Sequence, residues 1–307
     1  MTMNYTIPHT LKEVSVLQYL LDQGYSQSLI RQLRNEEKGI TIDGKTVYTT
    51  RILKPGEILS INLVEKESSE HIVPTPMPIH IQYEDEHILV VNKDAGVPIH
   101  PSQGNFGNTL ANGIACYFKE KGEPFIYRAI NRLDRDTTGL LILAKNPLSA
   151  CILSDMVKKR EIHRRYLAVA CGKIPPEGVI DAPIARVIGS TIERQVDEVR
   201  GEQARTRYKR LFYDETTDHS LVGLCLETGR THQIRVHLKY LGHPLPGDFL
   251  YHPDYRYISR QALHSFRLDF LHPIKKEPLS FEAPLPEDMK FIGMPVTSIE
   301  DPWGNGF

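Results

Sequence analysis

The stretch at residues 129–145, AINRLDRDTTGLLILAK, constrains the fold of this chain more than any other. Its polar first half, residues 131–138, predicts a turn, and the apolar run at residues 140–144 predicts a buried strand. Four charged side chains stand where the strand would begin: Arg132, Asp134, Arg135 and Asp136. A rigid strand end can hold side chains in a fixed geometry, as a chemical site requires. Taken alone, the same charges are more typical of a solvated turn.

Strand patterns outnumber helical patterns along the rest of the chain. Short apolar runs predict strands at residues 88–91, 208–212 and 221–226. One helix is predicted to begin at Asn146-Pro147, because Asn is a favoured N-cap and Pro fits the first helical position. Hairpins outnumber βαβ crossovers, so we expect an α+β fold with a mixed, largely antiparallel sheet.

The N-terminal part has the pattern of a small separate unit. Val14, Leu17 and Leu21 recur at helical spacing, and Ser26 is a plausible N-cap for a second helix. A hairpin around Asp43-Gly44 and a strand at residues 58–63 follow. Residues 65–78 end in three prolines, which is typical of an extended linker that packs poorly. These patterns divide the chain into a first domain, a linker and a second domain, at residues 1–64, 65–78 and 79–307.

Composition excludes several classes of protein. With 40% hydrophobic and 24% charged residues, the chain is typical of a globular protein. Its formal net charge is −1, so any nucleic-acid surface must be a local patch. The four cysteines are widely spread, which fits a reducing, cytoplasmic environment. We expect no membrane association, because there is no signal peptide and no apolar stretch of about eighteen residues.

Five sequence blocks resemble motifs of one enzyme family. Residues 132–139, RLDRDTTG, are similar to the signature of the RluA-type RNA pseudouridine synthases, which isomerise uridine in structured RNA to its C-glycoside. Four further blocks occur in the family's order. One precedes this signature, at residues 88–101, and three come after it, at residues 164–172, 228–248 and 261–286. The resemblance covers about residues 79–286. It implies the pseudouridine synthase fold, a curved mixed sheet with the active cleft across its middle.

The resemblance also implies roles for individual residues. Asp134 would attack C1′ of the uridine or remove the proton on C2′, and the sequence leaves both routes open. Asp136 is the neighbouring alternative, which the family pattern does not favour. Arg235 would keep the catalytic carboxylate ionised, and Tyr166 would pack against the flipped uracil and meet a reacting proton. Arg132 would enter the RNA and hold the position that the base has left.

Two places depart from the family's usual pattern. Asp94 stands where a proline is common, which affects only the stiffness of a loop. Asn131 stands where many members have His before the Arg-Leu-Asp signature. Since Asn also donates and accepts hydrogen bonds, we expect a changed hydrogen bond and no loss of activity.

The N-terminal unit resembles the S4 RNA-binding domain in residues 39–45, GITIDGK, and 54–57, KPGE. That resemblance implies contacts to RNA phosphates by basic side chains, namely Arg31, Arg34, Lys38 and Lys45. Residues 1–64 contain seven basic residues against six acidic ones, a weak electrostatic footprint. A degenerate domain that no longer binds RNA is therefore the alternative.

The densest basic run of the chain begins at the end of the helix predicted after Asn146. It holds five basic residues against the single acid Glu161, and they are Lys158, Lys159, Arg160, Arg164 and Arg165. Cations are also favoured at a solvated helix end, because they complement the helix dipole. Since Tyr166 follows directly, we predict that Lys158, Lys159 and Arg160 contact RNA.

The sequence indicates no cofactor and no metal. It contains neither a P-loop nor a GxGxxG motif, and the reaction implied by the resemblance needs no redox carrier or nucleotide triphosphate. His232 and His237 are the one pair that suggests a metal. On a strand, their interval of five would put the two rings on opposite faces.

Other functions stay open at this level. The chain could be an RNA chaperone or assembly factor on an inactive synthase fold, although a binder has no need of Asp134, Tyr166 and Arg235 together. A nuclease or phosphotransferase would require clustered acids or a histidine pair, and neither stands out. We expect a monomer whose partner is large-subunit ribosomal RNA, with tRNA as the alternative.

Overall fold

A computed structural model describes residues 1–65, 67–293 and 303–304. The helices are α1 Val16–Asp22, α2 Gln27–Asn35, α3 Leu110–Glu120, α4 Pro147–Lys159 and α5 Gln233–Tyr240, with a 3-10 helix at Glu287–Ile292. The strands are β1 Thr2–Thr6, β2 Ile40–Ile42, β3 Lys45–Thr46, β4 Ile58–Asn62, β5 His80–Glu84, β6 Ile88–Lys93, β7 Thr138–Ala144, β8 His163–Cys171, β9 Glu177–Asp181, β10 Ile184–Arg186, β11 Arg194–Val196, β12 Arg205–Asp214, β13 His219–Leu226, β14 Leu263–Leu271 and β15 Pro278–Glu282.

A nine-stranded sheet organises the larger part of the molecule. Eight strands follow the order β5-β6-β7-β14-β8-β13-β12-β9, and β15 also pairs with β14. Among the strands of this sheet that the structure describes, β7 and β14 form the one parallel pair, and the others run antiparallel. The predicted α+β class with a mixed, largely antiparallel sheet is therefore confirmed.

Strand β7 is buried on both faces, which explains its continuous apolar sequence. Leu140 and Ile142 pack into the apolar cluster on one face of the sheet, and Leu141 and Leu143 pack into the cluster on the other. The predicted strand is confirmed, and it begins two residues earlier, at Thr138. The polar turn before it is thus fixed to the centre of the molecule.

The N-terminal residues form a four-stranded sheet in the order β1-β4-β2-β3, beside α1 and α2. The Ser26 hydroxyl accepts the Leu29 N–H at 3.2 Å, so the predicted N-cap is confirmed. Asp43 and Gly44 both have positive φ, as the predicted two-residue hairpin turn requires. The expected face of α1 is wrong at Leu17, which is exposed, because the helix buries Val16, Tyr19 and Leu20 instead.

The connecting segment, residues 65 and 67–78, makes hydrogen bonds to the larger sheet region, although none of these residues is fully buried. Ser68 and Ser69 hydroxyls accept backbone N–H groups of Phe125 and Tyr127, at 3.1 and 2.9 Å. The side-chain amide of Asn112 donates to a carbonyl of the segment at 2.8 Å. In all three bonds a side chain on one side satisfies a backbone group on the other.

The N-terminal unit also shares an apolar cluster with the sheet region. Buried residues of α1, α2, β2 and β4 belong to one cluster with β6, β7, α4 and β14. Gly24 lies so close to Ile152 that an added Cβ would stand 2.7 Å from the Ile152 Cγ1. The Cys151 thiol lies 3.3 Å from the Ser26 hydroxyl. The first 64 residues are therefore joined to the rest by side-chain packing as well as by the chain.

No helix in the described part of the chain is long and apolar enough to span a membrane.

Candidate active site

Close packing between β7 and β14 fixes the position of the charged turn that precedes β7. Gly139 has φ +109°, and a Cβ there would collide with the carbonyl oxygen of Ser265 on β14. Only glycine allows the two strands to approach so closely at this point. Ser265 is also the register partner of Tyr166 on β8. The pairing therefore aligns β7, β14 and β8 and brings the turn and Tyr166 to one place.

Two interior side chains fix the turn further. Lys93, which is buried, donates to the carbonyl oxygens of Asp94, Val97 and Arg135 at 2.8, 3.0 and 2.7 Å. Burial lowers the pKa of Lys93 to about 7. Asn131, the departure from the family pattern, accepts the Ile142 N–H at 2.9 Å. Its amide therefore anchors the turn to the strand that the turn precedes.

Arg235 joins two carboxylates at the base of the cleft. Its Nη1 lies 2.8 Å from the Oδ2 of Asp134, and its Nε and Nη2 donate to both oxygens of Asp248 at 2.7 Å. Burial opposes the charge of Arg235, but the two carboxylates outweigh it and raise the pKa of the guanidinium. The ring of Tyr251 also lies 4.9 Å from the guanidinium carbon. The structure thus brings Arg235 to Asp134, as the resemblance implies.

Tyr166 lies in the same cleft as this ion pair. The lining consists of Arg132, Leu133, Asp134, Thr137, Tyr166, Leu226, Arg230, His232, Gln233, Ile234, Arg235 and Leu263. Burial raises the pKa of the Tyr166 phenol, so the phenol is neutral near pH 7. The lining therefore combines apolar side chains with the Asp134–Arg235 ion pair, a neutral phenol, one histidine and two further arginines. Such a site suits a flat base and a charge that develops next to it.

The two neighbouring aspartates have different surroundings. Asp136 receives two donors from Arg135, with Nη2 at 2.8 Å, and it is not among the described residues that line the cleft. Asp134 directs its carboxylate to the buried Arg235 and remains partly accessible. Geometry therefore favours Asp134 over the alternative Asp136 as the carboxylate that a ligand in the cleft would meet.

His232 is a cleft residue whose place the sequence did not indicate. Its Nε2 lies 3.9 Å from the Asp134 Oδ2, and its Nδ1 lies 2.9 Å from the Tyr251 hydroxyl. The backbone of His232 has φ +57°, an uncommon conformation for a residue other than glycine. Burial lowers the pKa of its imidazole, although Asp134 favours the charged form.

The segment that follows His232 is helix α5, so the assumption of a strand there is wrong. Apolar residues at helical spacing, Ile234 and Leu238, are the signal that would have indicated it. His237 is buried away from Asp134, with its Nδ1 and Nε2 near Thr206 and Ala182 oxygens at 2.8 and 2.9 Å. Within the described residues, no group of His, Cys, Asp or Glu side chains could hold a metal ion.

The basic candidates fall into two groups. Arg132 is exposed and lines the cleft. The others are exposed but do not belong to the described lining, and they are Arg31, Arg34, Lys38, Lys158, Lys159 and Arg160. Two of these have acidic neighbours, since Lys159 pairs with Asp155 at 2.8 Å and Arg160 lies 4.0 Å from Glu227.

Known proteins resemble this chain over most of its length. A family model described as RNA pseudouridylate synthase matches residues 87–240. The RNA pseudouridine synthase YjbO of Bacillus subtilis is 41% identical, over 90% of this chain and 97% of that protein. The ribosomal large subunit pseudouridine synthase D of Nitrosomonas europaea is 34% identical, over 98% of this chain and 91% of that protein.

A solved structure has the same fold. The human RNA pseudouridylate synthase domain containing 1 matches with a TM-score of 0.56 and 28% identity, covering 67% of this chain and 83% of that one. The sequence blocks and the largely antiparallel sheet agree with these matches. The chain belongs to the RNA pseudouridine synthase family and is an enzyme that isomerises uridine in RNA to pseudouridine.

Proposed function

We propose that the cleft beside β7 is the active site and that the Asp134 carboxylate starts the isomerisation. The observation that carries this proposal is the 2.8 Å ion pair between Asp134 and the buried Arg235. The buried guanidinium fixes the position of the carboxylate in the cleft and offsets its negative charge. Tyr166 lies in the same cleft and offers a ring on which the flipped uracil can pack.

The reaction breaks the bond between N1 and C1′ and forms a bond between C5 and C1′. The proton on C5 is lost, and N1 regains a proton, so the product is an isomer of uridine. Asp134 acts either by attacking C1′ or by removing the C2′ proton. The neutral Tyr166 hydroxyl is the group that meets a reacting proton, and Arg132 fills the place of the extruded base.

The target is large-subunit ribosomal RNA, with tRNA as the second candidate. This proposal is supported by the relatives named as ribosomal large subunit pseudouridine synthases. We assign residues 1–64 to an S4-like RNA-binding domain, followed by a connecting segment at 65–78 and the catalytic domain at 79–307. The enzyme would act as a monomer in the cytoplasm.

Two surfaces would hold the RNA outside the cleft. Arg31 and Arg34 are both exposed at spacing i, i+3 on α2, and the exposed Lys38 follows the helix. Lys158, Lys159 and Arg160 are exposed at the end of α4. Both sets carry cations at positions where a phosphate backbone can reach them.

Release of tritium from RNA labelled at C5 of uridine tests the proposed activity. Total RNA from cells that lack the protein is the substrate, and the modified uridines are then mapped. The full chain should release tritium and leave the length of the RNA unchanged. An inactive RNA binder releases no tritium, and a nuclease shortens the RNA. Sites mapped only in tRNA would contradict the assignment to ribosomal RNA.

A further inference from the structure

Arg164 lies at the rim of the proposed active site. It stands two residues before Tyr166 on β8, and alternate residues of a strand point to the same face. β8 pairs regularly with β13 through Tyr166 and Arg165, and its pairing with β14 continues to Arg164, with the one irregularity lying on β14 between Ser265 and Arg267. The Arg164 side chain therefore lies on the sheet face that carries Tyr166, and its charge lowers the pKa of Tyr166 against the larger effect of burial.

The loop that enters α5 packs against the Arg164 guanidinium. A Cβ on Gly229 would stand 3.3 Å from Nη2 and 3.4 Å from Nη1 of Arg164. The next residue, Arg230, lines the cleft. Any larger residue at position 229 would thus crowd the guanidinium, which lies beside the loop that contributes Arg230 to the cleft lining.

Arg164 has no acidic partner among the described residues, since no carboxylate lies within 4.0 Å of it. Its Nε is buried and has no hydrogen-bond partner there. The nearby Glu227 is already engaged, with nitrogens of Arg160, Arg205 and Arg207 at 4.0, 3.0 and 3.6 Å. The surroundings of Arg164 therefore carry an excess of positive charge.

A half-buried guanidinium with an unpaired N–H is costly unless an anion compensates it. RNA that places a uracil beside Tyr166 carries its phosphates to the rim of the same cleft. Planar guanidinium groups bind phosphate oxygens with two parallel hydrogen bonds. We propose that Arg164 binds a backbone phosphate of the substrate RNA, next to the uridine that enters the cleft. This inference rests on the proposed function of the cleft.

The test compares the full-length wild type with Arg164→Gln and Arg164→Met, which keeps the packed stem. Binding is measured against potassium chloride concentration, with a synthetic RNA hairpin that contains a mapped target uridine. Each neutral variant should bind about tenfold more weakly. Each should also reduce the salt slope by roughly 0.7 to 0.9, as expected for one phosphate contact. Arg164→Lys should retain the slope, since it keeps the charge.

Arg256→Gln is the matched control, because Arg256 is exposed and already paired with Asp254 at 2.6 Å. It should leave the salt slope unchanged. A wild-type slope in both neutral Arg164 variants would overturn the inference. A fall in maximal rate with no change in slope would also overturn it, because Arg164 would then only support Tyr166. Pseudouridine formation by Asp134→Asn would show that the proposed active site is wrong, whereas the salt slopes of the Arg164 variants report on the phosphate contact alone.

Discussion

Asp248 holds Arg235 with both carboxylate oxygens, at 2.7 Å from Nε and 2.7 Å from Nη2, and both side chains are 1% exposed. The Asp248 Oδ1 also accepts the N–H groups of Leu250 and Tyr251 at 3.1 Å. Arg235 therefore keeps one fixed orientation, with Nη1 free to reach Asp134. The carboxylate in the cleft depends on a second carboxylate that has no contact with solvent.

Asp248→Asn should destabilise the fold and reduce activity together. The substitution removes one acceptor and leaves the buried Arg235 charge compensated by Asp134 alone. Breaking a buried pair in this way costs about 3 to 5 kcal/mol. Denaturant unfolding measures the loss, and Asp155→Asn, in the exposed pair with Lys159, is the control that should change little. Wild-type stability in Asp248→Asn would show that Arg235 does not need this partner.

Asp134→Asn should abolish pseudouridine formation while RNA binding and folding survive. The change is nearly isosteric but removes the charge, the nucleophilicity and the basicity. Arg235 stays compensated, because Asp248 still binds it through two nitrogens. Asp136→Asn is the control and should remain active, since the Asp136 carboxylate is bound to Arg135. Pseudouridine from the Asp134→Asn protein would assign the catalytic carboxylate to another residue.

Tyr166→Phe keeps the ring and removes the hydroxyl. If the hydroxyl handles a proton, the maximal rate should fall by roughly 10²-fold or more, while the affinity for RNA holds. Because burial raises the pKa of this phenol, the rate of the wild type should not require its ionisation near neutral pH. Single-turnover kinetics with saturating enzyme measure the effect. An unchanged rate would leave Tyr166 as a packing residue only.

Neutralising Lys158, Lys159 and Arg160 together should reduce the slope of log RNA affinity against log salt concentration. The largest reduction expected is the equivalent of about three phosphate contacts. The real decrease should be smaller than this limit, because Lys159 already pairs with Asp155. The same change at Arg31, Arg34 and Lys38 tests the N-terminal unit separately. A wild-type slope in either triple variant would remove that set from the RNA-binding surface.

His264 should make the fold sensitive to acid. It is buried beside the start of β7, with its Nδ1 2.8 Å from the Thr138 hydroxyl, and burial lowers its pKa to about 4. Since the unfolded chain binds a proton below about pH 6.5, stability should be lost as pH falls from 6.5 toward 4, by on the order of 3 kcal/mol. His264→Gln should flatten this dependence in denaturant unfolding between those pH values. An equally steep dependence in the variant would assign the acid sensitivity to other groups.

Local signals in the sequence were sufficient for several elements. Local contacts within a few residues determine the N-caps Ser26 and Asn146 and the turn at Asp43-Gly44. The continuous apolar run of β7 is the local signal of a strand that is buried on both faces. Propensity and spacing therefore specify them before the chain folds. The resemblance of five blocks to one family likewise indicated that Asp134, Tyr166 and Arg235 belong to one site.

Other features were decided only by the tertiary structure. Asp134 and Arg235 are 101 residues apart, and their distance depends on how the fold places the turn before β7 relative to α5. Neighbours that the fold brings together also determine three further features. Asp248 binds Arg235, the backbone of His232 has a positive φ, and Arg164 has no acidic partner among the described residues. The hydrogen bonds of Ser68 and Ser69 likewise depend on distant backbone groups. The sequence shows that such residues are polar, but only the fold determines which polar groups pair with each other. Pairing between distant segments leaves no periodic pattern in the sequence from which it could be predicted.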